Sequence, residues 1–178
     1  MRRNLVLAAA LLVVLTGCVG AERGRMPMPT PSATPVFASE EEALAAAEVA
    51  YGEYVAVASK IFADGGAGAD RLRAAATGAQ LEADLAGFRE VLRLGQYSTG
   101  TTTFERFELQ QYNPDSSKEI VVVYVCEDIT DVDVLDQDGN SIVSPSRPDL
   151  TTYELAFDVA EVGTRLLVSR KEAWAVGC

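Results

Sequence analysis

Asp128, Asp131, Asp133, Asp136 and Asp138 gather carboxylates on one stretch of chain, the hard oxygen donors that a calcium ion takes. A calcium loop of the EF-hand type also fixes its offsets, with glycine sixth and glutamate twelfth. Setting Gly139 sixth places Val134 first and Pro145 twelfth, so the loop fails at both ends. Asp131 and Asp133 share a strand face, which permits adventitious calcium and no more. The run reads as a solvated hairpin, and no metal site is assigned.

Tyr51, Tyr54, Tyr97, Tyr124 and Trp174 are the aromatic candidates for a pocket lining. Tyrosine brings a large apolar body and a polar tip, which suits cores and ligand cavities alike. Core packing is the ordinary reading. Catalytic signal is weak. Histidine is absent, which removes the commonest general base near neutral pH, every Ser-His or Cys-His pair and the commonest zinc ligand. Glu48, Glu53, Glu82 and Glu90 fall on polar faces of amphipathic segments, and no carboxylate stands isolated within an apolar stretch. Gly65-Gly66-Ala67-Gly68 is not a phosphate loop, because no lysine follows in register. No cofactor is expected.

Near the N-terminus, Arg2 and Arg3 precede an unbroken apolar run from Leu5 to Leu15, and Leu15-Thr16-Gly17-Cys18 closes it. A membrane span needs roughly 20 apolar residues. This run is far shorter, and Glu22, Arg23 and Arg25 follow closely. An ordinary signal peptide ends in an A-x-A-like site and needs no cysteine. The segment resembles a bacterial lipoprotein signal, in which the cysteine sulfur receives a diacylglycerol and becomes the new N-terminus. The resemblance implies removal of residues 1–17, acylation of Cys18 and anchoring at the outer face of the cytoplasmic membrane. Asn4 directly after Arg2-Arg3 fits general secretion better than the twin-arginine route.

The formal charge is −11, and loss of Arg2 and Arg3 with the signal would make it more negative still. Nucleic acid requires clustered lysine and arginine and is not expected as a partner. Adsorption to anionic lipid through a basic face is excluded on the same ground. Membrane attachment must then come from acyl chains, at about 0.8 kcal/mol per buried methylene. With Cys18 acylated, Cys126 and Cys178 remain. Outside the cytoplasm an even pair is normally oxidised. Such a bridge would close a loop of about 50 residues and contribute about 4 kcal/mol in the chain-entropy model. The alternative is two unpaired thiols or a redox site, although C-x-x-C is missing.

Residues 18–38 read as a tether, with Met26-Pro27-Met28-Pro29-Thr30-Pro31-Ser32-Ala33-Thr34-Pro35 forming an extended spacer. Residues 39–178 read as one domain. Ser39-Glu40-Glu41-Glu42 is a capping box at the start of a helix of about 24 residues. Its apolar stripe runs through Leu44, Ala47, Tyr51, Tyr54, Val55, Ala58, Ile61 and Phe62, and Asp64-Gly65-Gly66 ends it. A short helix is predicted over Asp70 to Ala76. Thr77-Gly78-Ala79-Gln80 is a second capping-box candidate, leading into Leu81, Leu85, Phe88 and Leu92 with Gly95 as terminator.

After Gly95 the period becomes alternating. Strands are predicted over Thr101 to Tyr112, over Ile120 to Cys126 as a covered central strand, over Tyr153 to Val159, and over Arg165 to Val176. Asp131 to Leu135 and Ser141 to Ser144 read as two arms of a hairpin. Helices first and antiparallel strands afterwards make an α+β domain, with helices packed on one face of the sheet.

This order resembles the cone-shaped fold of the nuclear-transport-factor-2-like superfamily, and more narrowly actinobacterial lipoproteins of that shape. The resemblance spans the mature domain. It is carried by Glu41-Glu42-Ala43 with Tyr51 and Tyr54, by Ala63-Asp64-Gly65-Gly66, and by Ser98-Thr99-Gly100-Thr101-Thr102-Thr103-Phe104. Val123-Tyr124-Val125-Cys126 and Trp174 near Cys178 complete it. It implies a curved sheet wrapping a cavity beneath the first helix, and pairing of Cys126 with Cys178. Active-site residues do not carry over, because enzymes of this shape generally place Asp, His or Tyr inside the cone and no match is found here.

The sequence reading is a membrane-anchored, extracytoplasmic, non-catalytic domain that binds an envelope protein or a small apolar ligand. Tyr51, Tyr54, Tyr124 and Trp174 are its candidate pocket lining. The rival is a lyase- or isomerase-like enzyme, which requires an Asp or Glu buried near Tyr51, Tyr54 or Tyr124 with a strongly raised pKa. A structural spacer in an envelope assembly is the third reading.

Overall fold

The computed structural model describes residues 35–160 and 164–178. Cys18, the signal segment and the tether up to Thr34 lie outside the described residues. Among the described residues, no helix is long and apolar enough to cross a membrane.

Helix α1 spans Glu40–Ala63. The Ser39 side chain accepts from the Glu42 amide at 3.2 Å. The Glu42 carboxylate returns to the Ala38 amide at 2.7 Å, one residue earlier than the usual reciprocal bond. Packing starts ahead of this cap: Phe37, assigned to the tether from the sequence, is buried. Its carbonyl accepts from the Tyr112 hydroxyl at 2.7 Å. The inner stripe of α1 buries Ala43, Ala47, Ala50, Tyr51, Tyr54, Val55 and Ile61. The short helix is a 3₁₀ turn at Ala69–Ala74.

Helix α2 spans Gly78–Leu94 and buries Leu81 and Leu85. Thr77 sits at its N-cap without a side-chain bond, so the second capping box does not form. Gln80 turns instead to Tyr54 and Asp84. Gly95 closes the helix in the left-handed region.

Strands β2 (Thr103–Tyr112), β3 (Val121–Asp128), β5 (Leu150–Val159) and β6 (Leu166–Val176) form one antiparallel sheet in the order β2-β3-β5-β6. Bulges interrupt the register between β2 and β3 and between β5 and β6, which bends the strands and adds twist. Both helices pack on its concave face, where Val121, Val123, Val125, Leu155, Phe157 and Val168 are fully buried. The domain is therefore α+β, with helices against a curved antiparallel sheet. The apolar run of β3 is covered as its composition predicts.

The predicted hairpin closes over a short contact: Ser141 bridges Leu135 antiparallel, the Asp136 amide donates to the Asn140 carbonyl at 3.0 Å, and the Ile142 amide donates to the Val134 carbonyl at 2.9 Å. Strand β4 (Asp133–Leu135) pairs with β1 (Tyr97–Thr99) in a separate two-stranded sheet. The segment after Gly95 lies along one edge of β4 and the Ser141–Ile142 segment bonds the other. The acidic run organises this turn. Asp136 accepts from the amides of Asp138 and Asn140, each at 2.9 Å, and Asp133 accepts from the Ser141 hydroxyl at 2.6 Å.

Cys126 and Cys178 form a disulfide, joining the central strand to the residue that follows β6 by two. The thiol and redox-site alternatives are set aside by this bond.

Candidate functional site

Period-2 alternation on β3 carries the inner face from Val121 through Val123 and Val125 to Glu127. Glu127 is thus buried, at 7% relative exposure. Isolated burial of a carboxylate is costly, and the surrounding elements meet that cost with partners. From α1, the Tyr51 hydroxyl donates to Glu127 Oε2 at 2.5 Å. From β6, Lys171 Nζ donates to the same oxygen at 2.6 Å. The ammonium lies 4.2 Å from the ring centroid of Tyr153 and about 6 Å from those of Tyr51 and Tyr54, a cage that stabilises a cation electrostatically.

Beside this group, the Tyr54 hydroxyl donates to Asp84 Oδ2 at 2.9 Å, and Gln80 Nε2 bonds both Tyr54 and Asp84. Burial, reinforced by the Glu127 charge, pushes the Tyr51 hydroxyl well above its ordinary range. Burial and then Asp84 do the same for Tyr54. Burial raises Asp84 as well, opposed by the bonds from Gln80 and Tyr54. Both tyrosines therefore act as neutral donors, never as phenolates, near neutral pH.

Above this polar floor opens a pocket of about 130 Å³. Glu127, Lys171 and Tyr54 line its base; Val55, Ala58, Phe62, Phe88 and Val132 give it apolar walls, with Ser98 and Thr102 at the side. Phe62 and Phe88 meet edge to face at 6.4 Å. The wall bearing Val132 is fixed by Arg147, which donates to the carbonyls of Val132 and Ile129 at 2.9 and 3.0 Å. Gly100 closes the same side: with φ at +84°, a Cβ there would sit 1.8 Å from the Asp131 carbonyl oxygen.

The four residues of the expected pocket lining, Tyr51, Tyr54, Tyr124 and Trp174, do not form one site. Tyr54 lines the pocket, and Tyr51 lies behind it. Tyr124 has the opposite parity to Val123 and Val125, and so points to the outer face of the sheet. There its ring lies 5.0 Å from that of Trp174, beside the disulfide. Trp174 is 63% exposed. The sequence expectation that no carboxylate lies in an apolar setting is also corrected by Glu127. The signal was present: Glu127 continues the buried parity of β3 one step beyond the apolar run. Lys171 gave no comparable signal, because the bulge between Ala156 and Phe157 shifts the register of β6.

Chemically, the site couples an ion pair to an apolar recess. A general base needs a free lone pair aimed at the substrate proton. Both protein donors converge on Glu127 Oε2, and Oε1 takes no bond among the described residues. Recognition of a ligand needs no such transfer, only shape and a few fixed polar groups.

No protein-family model matches the chain, and no curated protein matches it. Among solved structures, the intermembrane space region of the chloroplast protein ARC6 is similar, with a TM-score of 0.53 and 14% identity. The match covers 74% of this chain and 96% of that one. The likeness is one of fold. Activity does not travel with it.

Proposed function

We propose that this chain is a lipid-anchored extracytoplasmic binding domain of the nuclear-transport-factor-2-like cone type, taking a small ligand in the pocket beneath α1. The observation that carries the binding role is the polar floor of Glu127, Lys171 and Tyr54 beneath apolar walls. Such a combination of recess and few convergent polar groups is the usual composition of a ligand site. The cone assignment is supported by helices lying on the concave face of a bulged sheet. The envelope address is supported by the Leu15-Thr16-Gly17-Cys18 motif and by a disulfide, which persists in oxidising compartments.

Membrane fractionation tests the anchor. The wild-type chain is expected in the membrane fraction and Cys18→Ser in the soluble one; a Cys18→Ser chain that still sediments with membranes overturns the lipoprotein reading.

A second reading has one specific observation in its favour. Glu127 is a buried carboxylate beside Tyr51, which a lyase- or isomerase-like mechanism in the cone would require. Its pairing with Lys171 weighs against a role as base, and binding without catalysis is the preferred conclusion.

A further inference from the structure

We infer that the pocket selects small neutral molecules carrying a hydroxyl or amide on a ring-sized apolar body, and rejects ions of either sign. The inference rests on the binding role proposed above and adds the ligand's chemical class. At the pocket floor, Glu127 and Lys171 present opposite charges 2.6 Å apart. A monovalent anion placed there gains from Lys171 and is repelled by Glu127; a cation meets the reverse. Either ion also gives up its hydration on entering a recess of mostly apolar walls. A neutral hydroxyl pays neither charge penalty and can use both partners, its oxygen accepting from Lys171 while its hydrogen goes to Glu127. The necessary capacity is there. An ammonium has three donors, and Lys171 Nζ makes one hydrogen bond among the described residues. Glu127 Oε2 takes both protein bonds, while Oε1 takes none among the described residues.

Size sets the rest of the molecule. An apolar cavity of about 150 Å³ takes benzene, and this pocket holds about 130 Å³. Phe62 and Phe88 offer ring edges and faces on one wall, which suits a flat unsaturated body.

The test is a binding series of near-equal size on the full chain: benzyl alcohol, toluene, benzoate and benzylammonium, followed by amide chemical shifts of Ser98 and Thr102. Benzyl alcohol is expected to bind roughly tenfold or more tighter than each of the other three, the ratio that hydrogen bonds to charged groups supply. The Ala58→Phe variant, which fills the recess, is expected to lose the response. In the Glu127→Gln, Lys171→Met double variant, which removes both charges together, the preference over toluene is expected to vanish. Equal binding of toluene or of either ion overturns the ligand class while leaving the pocket a binding site. Silence from all four probes overturns the binding role and the ligand class together.

Discussion

Lys171 Nζ lies 2.6 Å from Glu127 Oε2 although β5 runs between their two strands. The lysine reaches across by laying its ammonium over the ring of Tyr153, at 4.2 Å. Both side chains are shielded, with 16% and 9% of their surface exposed. A pair of this kind is weak as a source of net stability and severe when only one member is removed.

Lys171→Met is therefore expected to destabilise the domain by about 3–5 kcal/mol, because it strands the Glu127 charge. The double variant with Glu127→Gln is expected to recover most of that loss. Urea unfolding of the single and double variants reads the difference. Additive losses would show that the two residues are not coupled.

Alkaline pH should open the same region. Tyr51 and Tyr54 are raised by burial and by the neighbouring carboxylates Glu127 and Asp84. An unfolded tyrosine ionises near pH 10. Above that value the unfolded chain has released protons that the folded chain still holds, so unfolding free energy falls as pH rises. The contribution is fully present below about pH 10 and is lost above it. Tyr54→Phe removes one such proton, and the decline of its urea midpoint above pH 10 is expected to be shallower than that of the wild type. Matching slopes would contradict the burial of the Tyr54 hydroxyl.

The helices were legible because their apolar residues recur at three- and four-residue steps and their ends carry Ser39 and Gly95. The central strand was legible from its unbroken apolar run. The site was half legible. Tyr51 and Tyr54 followed from helical spacing, and counting parity along β3 would have added Glu127 and sent Tyr124 to the other face. Lys171 was not legible, since its partner lies two strands away and a bulge resets its register. The β1-β4 pairing was hidden for the same reason, because it joins segments that only the turn of the chain after α2 brings together. Gln80 shows how tertiary contacts override a local motif: a capping box competes with two part-buried polar groups that need partners, and loses.

The Cys126–Cys178 bridge spans 52 residues. In the chain-entropy model a loop of this length contributes about 4 kcal/mol. Reduction, or the Cys126→Ser, Cys178→Ser pair, is expected to lower the urea midpoint accordingly. Hydrogen exchange should rise first at the end of β6, where Gly177 also bonds Leu150 and Thr152. No change in midpoint on reduction would mean that the bond leaves the unfolded chain unconstrained.

Gly100→Ala is expected to disturb the pocket wall from outside the pocket floor. The added Cβ cannot share space with the Asp131 carbonyl, and a side chain at that φ is strained in any case. Loss of about 1–3 kcal/mol is expected, the range for a strained backbone position. Amide shifts should move at Val132 and Ser98. An unperturbed Val132 would contradict the contact between the two loops.

Native mass spectrometry of the protein released from its own membrane tests the central claim most directly, since anchor and ligand are read in one spectrum. The expected result is a chain beginning at an acylated Cys18 and carrying one small neutral molecule, which Ala58→Phe lacks. An unacylated chain, or wild-type and Ala58→Phe chains alike in carrying nothing, would contradict it.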